Sequence, residues 1–339
     1  MKSVCVEDAV GMVLGHDITR IVRGVTKGRA FKKGHIIKGE DIEALLDLGK
    51  KHIYVWDMQA DSLHEDDAAG AIAHAAVGSG IALSEPKEGK IELTAEYHGL
   101  LKINVSLLER LNSLDDIILA TIHTNQVVVD GKKLAGTRVI PLTISRAAVN
   151  EAVALLHANA PLIEVKKLSA RKVGIITTGS EVYEGRIKDQ FGPVLREKFS
   201  ALGCEVVRQI IVPDDPDLIA DSIRKLVAEG ADFIATSGGM SVDPDDVTPE
   251  GIRRSGGEII TYGAPVLPGA MFLLSYLDGV PIVGLPGCVM YHAATVFDLI
   301  VPRLLAGEKL CKKDFASLGH GGFCLGCPDC RYPDCGFGK

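Results

Sequence analysis

From residue 172 onward, short apolar runs alternate with amphipathic stretches. Runs at 173–176, 205–212, 232–235 and 281–284 are rich in β-branched and aromatic residues and read as strands. Stretches 189–202 and 216–229 have helical spacing and stop at Gly203 and Gly230. Asp215 stands as N-cap of the second, with Pro216 in its first turn. A last helix is expected over 289–306, ending at Gly307, with Pro302 placed to kink it. This alternation predicts an α/β fold with a mostly parallel sheet, because parallel neighbours need crossover connections.

The earlier chain has a different texture. Residues 1–58 predict a small mixed α+β unit. It carries a basic, glycine-punctuated stretch at 24–39, a helix over 41–48 stopped by Gly49, and a strand over 52–56. Its basic loop reads as solvated. Residues 65–168 predict a mixed α+β scaffold region. An alanine-rich helix is expected over 66–81, strands at 91–94, 127–129 and 137–140, and helical patterns at 106–111 and 146–157. No chemistry-bearing motif is visible there. Residues 310–339 form a short tail rich in glycine and cysteine, expected as an appendage.

Composition narrows the function classes. Of 339 residues 47% are hydrophobic and 24% charged, enough apolar material for real cores. The net charge of −7, with no basic block, argues against nucleic acid as a partner. Acids at Glu7 and Asp8 stand where a leader's apolar segment would begin, and no run is long enough to span a bilayer. A cytoplasmic protein without a membrane partner is therefore expected.

Candidate chemistry gathers at strand ends. In open α/β sheets ligands sit beyond the carboxyl ends of the strands. The first strand runs into Thr178-Gly179-Ser180-Glu181, and the third into Ser237-Gly238-Gly239-Met240-Ser241. The last runs into Pro286-Gly287-Cys288. Paired glycines let backbone N–H groups turn toward an anion, hydroxyls add donors, and a helix beginning after Gly287 adds partial positive charge. This is a phosphate cradle without a lysine-bearing P-loop. Glu181, Asp214, Asp243, Asp245 and Asp246 fall on the same loops, and a hard cation needs one or two carboxylates plus substrate oxygens. Asp215 and Thr248 read as helix caps, and Asp243 as a turn residue. Glu181 and Asp246 stand out as functional acids.

In order and spacing these segments, with Asp214-Asp215-Pro216, Asp246-Val247-Thr248, Pro268-Gly269 and Gly284-Leu285-Pro286-Gly287, resemble the molybdopterin-binding domain over 171–307. That domain occurs in molybdopterin molybdotransferases, including the gephyrin E domain, and in molybdopterin adenylyltransferases. The resemblance implies a three-layer α/β/α domain with a site for molybdopterin or its adenylate and Mg²⁺. By position, Ser237, Gly238, Gly239 and Ser241 would bind phosphate, beside Thr178 and Gly179. Glu181, Asp214 and Asp246 would hold metal or organise molybdate in catalysis. Pro286 and Gly287 would shape the loop beside the pterin. The family's habits also imply a homodimer.

Some positions depart from the molybdotransferase pattern. Ser180 stands where an acid often precedes the glutamate. Leu267 and Ala270 stand where lysines usually flank Pro-Gly, and Cys288-Val289 replaces Asn-Pro. The absent lysines remove cations that would face molybdate or phosphate. Two readings follow: Mg²⁺-dependent insertion of molybdate into adenylylated molybdopterin, or non-catalytic binding, delivery to a molybdoenzyme client, or sensing. A third uses the domain as a nucleotide pyrophosphatase. Cys288 reads as a small apolar residue, or as a reactive thiol whose pKa a helix N-terminus lowers.

The tail carries Cys324-x2-Cys327-x2-Cys330-x4-Cys335. Four thiolates at this density suit Zn²⁺ or an iron–sulfur cluster, and spacing alone leaves both open. His320 could replace one ligand. So short a tail has little core of its own, so metal is expected to determine its fold.

Overall fold

The structure is a computed structural model that describes residues 1–22, 26–55, 61–159 and 161–339. Gly24, Trp56 and Met58, at the edges of expected features in the first unit, lie outside the described residues. The chain divides into two compact units: 1–96 with 103–122 and 131–164, and 97–102 with 123–130 and 165–339.

The first unit is built on antiparallel strand pairs. Lys2–Cys5 pairs with His52–Val55, and Ile18–Val22 with Thr26–Phe31. A four-stranded sheet joins Ile81–Leu83, Lys90–Ala95, Lys133–Val139 and Ile117–Thr121. The expected alanine-rich helix is shorter than the sequence suggested. It spans Glu65–Ala76 and ends where Val77 turns extended. The cause is local: Gly78 packs so tightly that a Cβ there would lie 2.8 Å from Pro161. Ile81, expected inside that helix, opens a strand instead.

The second unit holds the α/β domain. Its elements run β1 (Lys172–Thr178), α1 (Ser180–Tyr183), α2 (Phe191–Ala201), β2 (Glu205–Val212), α3 (Pro216–Ala228), β3 (Phe233–Ser237) and α4 (Thr248–Arg254). They continue with β4 (Glu258–Tyr262), β5 (Leu273–Leu277), β6 (Val280–Leu285), α5 (Cys288–Tyr291), α6 (Val296–Leu305) and α7 (Lys312–Ala316). Strand order is β2-β1-β3-β6-β5-β4. The first four strands are mutually parallel, and β5 and β4 are antiparallel additions.

The inner runs β1, β3 and β6 have no polar face because both faces of the sheet are covered there, whereas the edge strand β2 is largely exposed. Side chains alternate with period two. Val173, Ile175, Phe233, Ala235, Val283 and Leu285 join one buried cluster with Phe199 of α2 and Phe297 and Val301 of α6. Ile176, Ile234 and Ile282 join the opposite cluster with Ile219, Ile223 and Leu226 of α3 and Ile252 of α4. The expected three-layer α/β/α arrangement is therefore present.

Two expectations are corrected here. The single helix over 289–306 is two, α5 and α6. The break falls where Thr295 caps α6, its hydroxyl accepting from Phe297 N–H while Asp298 accepts from Thr295 N–H. The tail is also no appendage. Leu310, Phe315 and Phe337 are buried in the domain's own core, and Phe315 stacks on Phe272 with centroids 5.8 Å apart. The tail's aromatic residues supply a core that its cysteine-rich segment lacks.

Candidate functional site

In the order β2-β1-β3, the chain leaves β1 for one neighbour and returns to the other. The loops after β1 and β3 therefore part company and leave a crevice at their carboxyl ends. A cleft of about 1040 Å³ opens there. Thr178, Gly179, Ser180 and Glu181 line it from β1, Asp214 from β2, and Gly238, Gly239, Asp243, Asp245 and Asp246 from β3. Met290 and Tyr291 of α5 close another side.

The glycine pair is required by its backbone. Gly238 and Gly239 have φ of +90° and +54°, a region costly for side chains. A Cβ on Gly238 would lie 2.2 Å from the Thr178 carbonyl oxygen, and one on Gly239 2.7 Å from Thr248 Oγ1. Thr248 holds this turn in place. Its hydroxyl donates to the Gly238 carbonyl at 2.9 Å and lies 2.9 Å from Thr178 Oγ1. It was expected as a helix cap, but it is the first residue of α4 and makes no capping bond. Buried among loop carbonyls, its hydroxyl bonds across to the neighbouring loop instead.

The acids are also tied into the loops. Asp214 Oδ2 accepts from Ser180 N–H at 2.8 Å, and Ser180 Oγ accepts from Asp214 N–H at 3.3 Å. Asp246 Oδ2 accepts from Asp243 N–H at 3.2 Å, while Asp246 N–H donates to the Asp243 carbonyl at 2.9 Å. Both bonds engage Oδ2, and among the described residues no hydrogen bond is made to either Oδ1. Asp215 caps α3 as expected, accepting from Asp217 and Leu218 N–H.

Other expected ligands lie elsewhere. Ser237, Ser241, Pro286 and Gly287 do not line the cleft. Ser237 is fully buried, and among the described residues its hydroxyl has no hydrogen-bond partner. Ser241 is exposed, and its carbonyl accepts from Tyr262 Oη at 3.1 Å. Tyr262 also donates to the Met240 carbonyl at 2.9 Å, so it braces the loop beyond the glycines. Nothing in the sequence singled out Tyr262. Burial, then the Asp246 charge, raises its hydroxyl pKa. Cys288 is not activated as its helix-terminal position suggested. Burial raises its thiol above the ordinary value despite hydrogen bonds from the Cys288 and Val289 amides. A four-residue helix supplies little dipole.

Charge decides what this cleft can hold. Glu181, Glu184, Asp189, Asp214, Asp243, Asp245 and Asp246 face only Arg186 and Lys188. Arg186 is itself paired with Glu184 at 2.6 Å. An anion would enter this field only with a cation beside it. Among the described residues no three His, Cys, Asp or Glu side chains are gathered to cage a metal ion. Mg²⁺ needs no such cage, since one or two carboxylates with substrate phosphate and water suffice. The Oδ1 atoms of Asp214 and Asp246, with Glu181, fit that donor set.

The fold and cleft define a doubly wound α/β domain with a glycine-turned, acid-lined cleft at its switch point. Residues 174–306 match the family model described as a probable molybdopterin binding domain. A second model, a domain of unknown function, matches residues 3–57. A CinA-like protein of Mycobacterium sp. (strain JLS) is 43% identical over 87 residues, 26% of this chain and 20% of that protein. A CinA-like protein of Mycobacterium avium (strain 104) is 38% identical over 99 residues, 29% of this chain and 23% of that one. The chain thus spans 20–23% of the length of these curated relatives. The structure of the molybdopterin biosynthesis enzyme MoaB from Thermus thermophilus matches with TM-score 0.34 and 23% identity, over 41% of this chain and 98% of that one. A molybdopterin biosynthesis MoeA protein from Pyrococcus horikosii matches with TM-score 0.35 and 16% identity, over 90% of this chain and 74% of that one.

Proposed function

We propose that the α/β domain binds molybdopterin or its adenylate as a Mg²⁺-bridged anion and acts in molybdenum cofactor biosynthesis. The carrying observation is the pairing of the Gly238–Gly239 turn with carboxylate oxygens across one cleft. The turn would present backbone N–H groups to the ligand phosphate. Asp214, Asp246 and Glu181 would hold Mg²⁺ on the side facing the phosphate. Bound there, Mg²⁺ would neutralise phosphate charge and polarise the phosphoryl oxygens. Tyr291 would cover the pterin end, and the loop clasps keep the donors from swinging with solvent.

The test is titration of the full chain with molybdopterin-adenylate, following pterin fluorescence with and without Mg²⁺. Chelating Mg²⁺, or making Asp246→Asn, should weaken binding at least about tenfold, or about 1.4 kcal/mol. Binding indifferent to both would end the proposal. Adding molybdate then separates the chemistries. AMP release that needs molybdate marks insertion, and release without it marks pyrophosphate cleavage.

A second reading, binding and delivery without turnover, has its own support. Leu267 stands where molybdotransferases usually carry lysine. Its N–H donates to Gly322 at 2.8 Å, and its carbonyl accepts from Cys324 N–H at 2.8 Å. The cysteine tail thus pairs with the backbone at this position, where no cationic side chain stands. Tight binding with no AMP release under any condition would select this reading.

A further inference from the structure

The four tail cysteines, far from the acids of the cleft in sequence, all line one second cavity of about 450 Å³. All four are free thiols. We propose that Cys324, Cys327, Cys330 and Cys335 bind an iron–sulfur cluster in this cavity, whatever the cleft binds.

Two observations favour a cluster over a single ion. The first three cysteines repeat at two-residue gaps, the spacing by which a chain wraps a [4Fe–4S] core. Among the described residues no three His, Cys, Asp or Glu side chains are gathered to hold a metal ion, so the four cysteines that line this cavity would close around their occupant on binding. Finally, the rim is apolar: Phe323, Leu325 and Tyr291 stand 66%, 83% and 78% exposed around it. Exposed aromatic and aliphatic side chains are costly without an occupant, and low polarity around the sulfurs is a means of tuning a cluster.

The segment is also held for the purpose from both ends. Cys324 N–H is bonded to Leu267, and Tyr332 Oη donates to the Asp298 carbonyl at 3.1 Å. Phe337 anchors the far end in the core. The backbone between them needs only to close around the cluster. Four thiolates on a [4Fe–4S]²⁺ core leave a net charge of −2, and Arg331 beside the cavity offsets part of it.

The test is to purify the full chain without oxygen, reconstitute it with ferrous iron and sulfide, and count both. The expected result is about four iron and four sulfide per chain. Visible thiolate-to-iron absorption and a paramagnetic signal after one-electron reduction should accompany them. Cys327→Ser and Cys330→Ser should lose most of the iron while far-ultraviolet circular dichroism stays unchanged. Cys311→Ser, outside the cavity, should keep it. One zinc per chain and no sulfide would overturn the proposal. So would four freely titrating tail thiols after reconstitution, or iron content unmoved by both serine variants. Should the serine variants fail to fold, the iron and sulfide count of the unaltered chain decides alone.

Discussion

Thr248 does not line the cleft, yet it fixes the Gly238–Gly239 turn that does. Its hydroxyl satisfies the Gly238 carbonyl, and Thr178 Oγ1 leans on it at 2.9 Å. Thr248→Val keeps the shape and deprives the half-buried Gly238 carbonyl of its bond, at a cost of about 1 kcal/mol. Urea unfolding should show that loss, and pterin titration a parallel loss of affinity as the turn loosens. Unchanged stability would mean that water reaches the carbonyl. Gly238→Ala should act more sharply. Its φ of +90° alone costs a side chain about 1–3 kcal/mol, and the Thr178 carbonyl stands in the Cβ position. Binding should vanish before folding does, read by titration beside a melt. The glycines were legible in the sequence because their chemistry is local. The role of Thr248 was not, because a threonine before proline has the same signature whether it caps a helix or reaches across to another strand's loop.

Among the elements, α6 shows how one breaker can make a docking point. Pro302 has no N–H to return to the Asp298 carbonyl four residues earlier. That carbonyl accepts Tyr332 Oη from the tail instead. On the same helix Arg303, nearly buried, pairs with Glu308 and with Asp314, both at 2.9 Å. Burial alone would raise the Asp314 carboxyl, but the Cys311 backbone amide and thiol and Arg303 outweigh it and hold it at about 2. A depressed carboxyl stabilises the folded state above its ordinary value of 3.8, and that stabilisation is lost as pH falls toward about 2. Peptic nicking of the tail should therefore begin within that window. Asp314→Asn should nick at higher pH and lose the dependence, and identical profiles would rule the pair out as the tail's clamp. The hairpin of β5 and β6 teaches a different lesson about elements. Neither β4 nor β5 was read from sequence, although Asp278-Gly279 between apolar runs is a hairpin signal. Both residues have positive φ, 49° and 85°. An antiparallel edge needs no crossover helix, so the alternation of strands and helices carries no sign of it.

At the scale of the whole chain, the α/β domain announced itself through helix punctuation and strand-end glycines, features fixed by backbone geometry. The tail did not, because its stability comes from contacts remote in sequence, with Phe272 and the core around α6. Two explanations of its order compete: packing of its aromatic residues, or a cofactor bound by its cysteines. Removing residues 310–339 deletes Leu310, Phe315 and Phe337, each fully buried side chain contributing about 1.5–3 kcal/mol. The sum rivals the whole stability of an ordinary domain, about 5–15 kcal/mol. The shortened chain should thus be largely unfolded or insoluble. A variant with serine at 324, 327, 330 and 335 keeps all three apolar residues, the Tyr332 bond and the Arg303–Asp314 pair. Its melting temperature should fall far less than truncation lowers it, even though it can hold no metal. If the serine variant instead collapses as completely as the truncated chain, the cysteines' occupant and not aromatic packing holds the tail, and the core assigned to Phe315 and Phe337 is not sufficient.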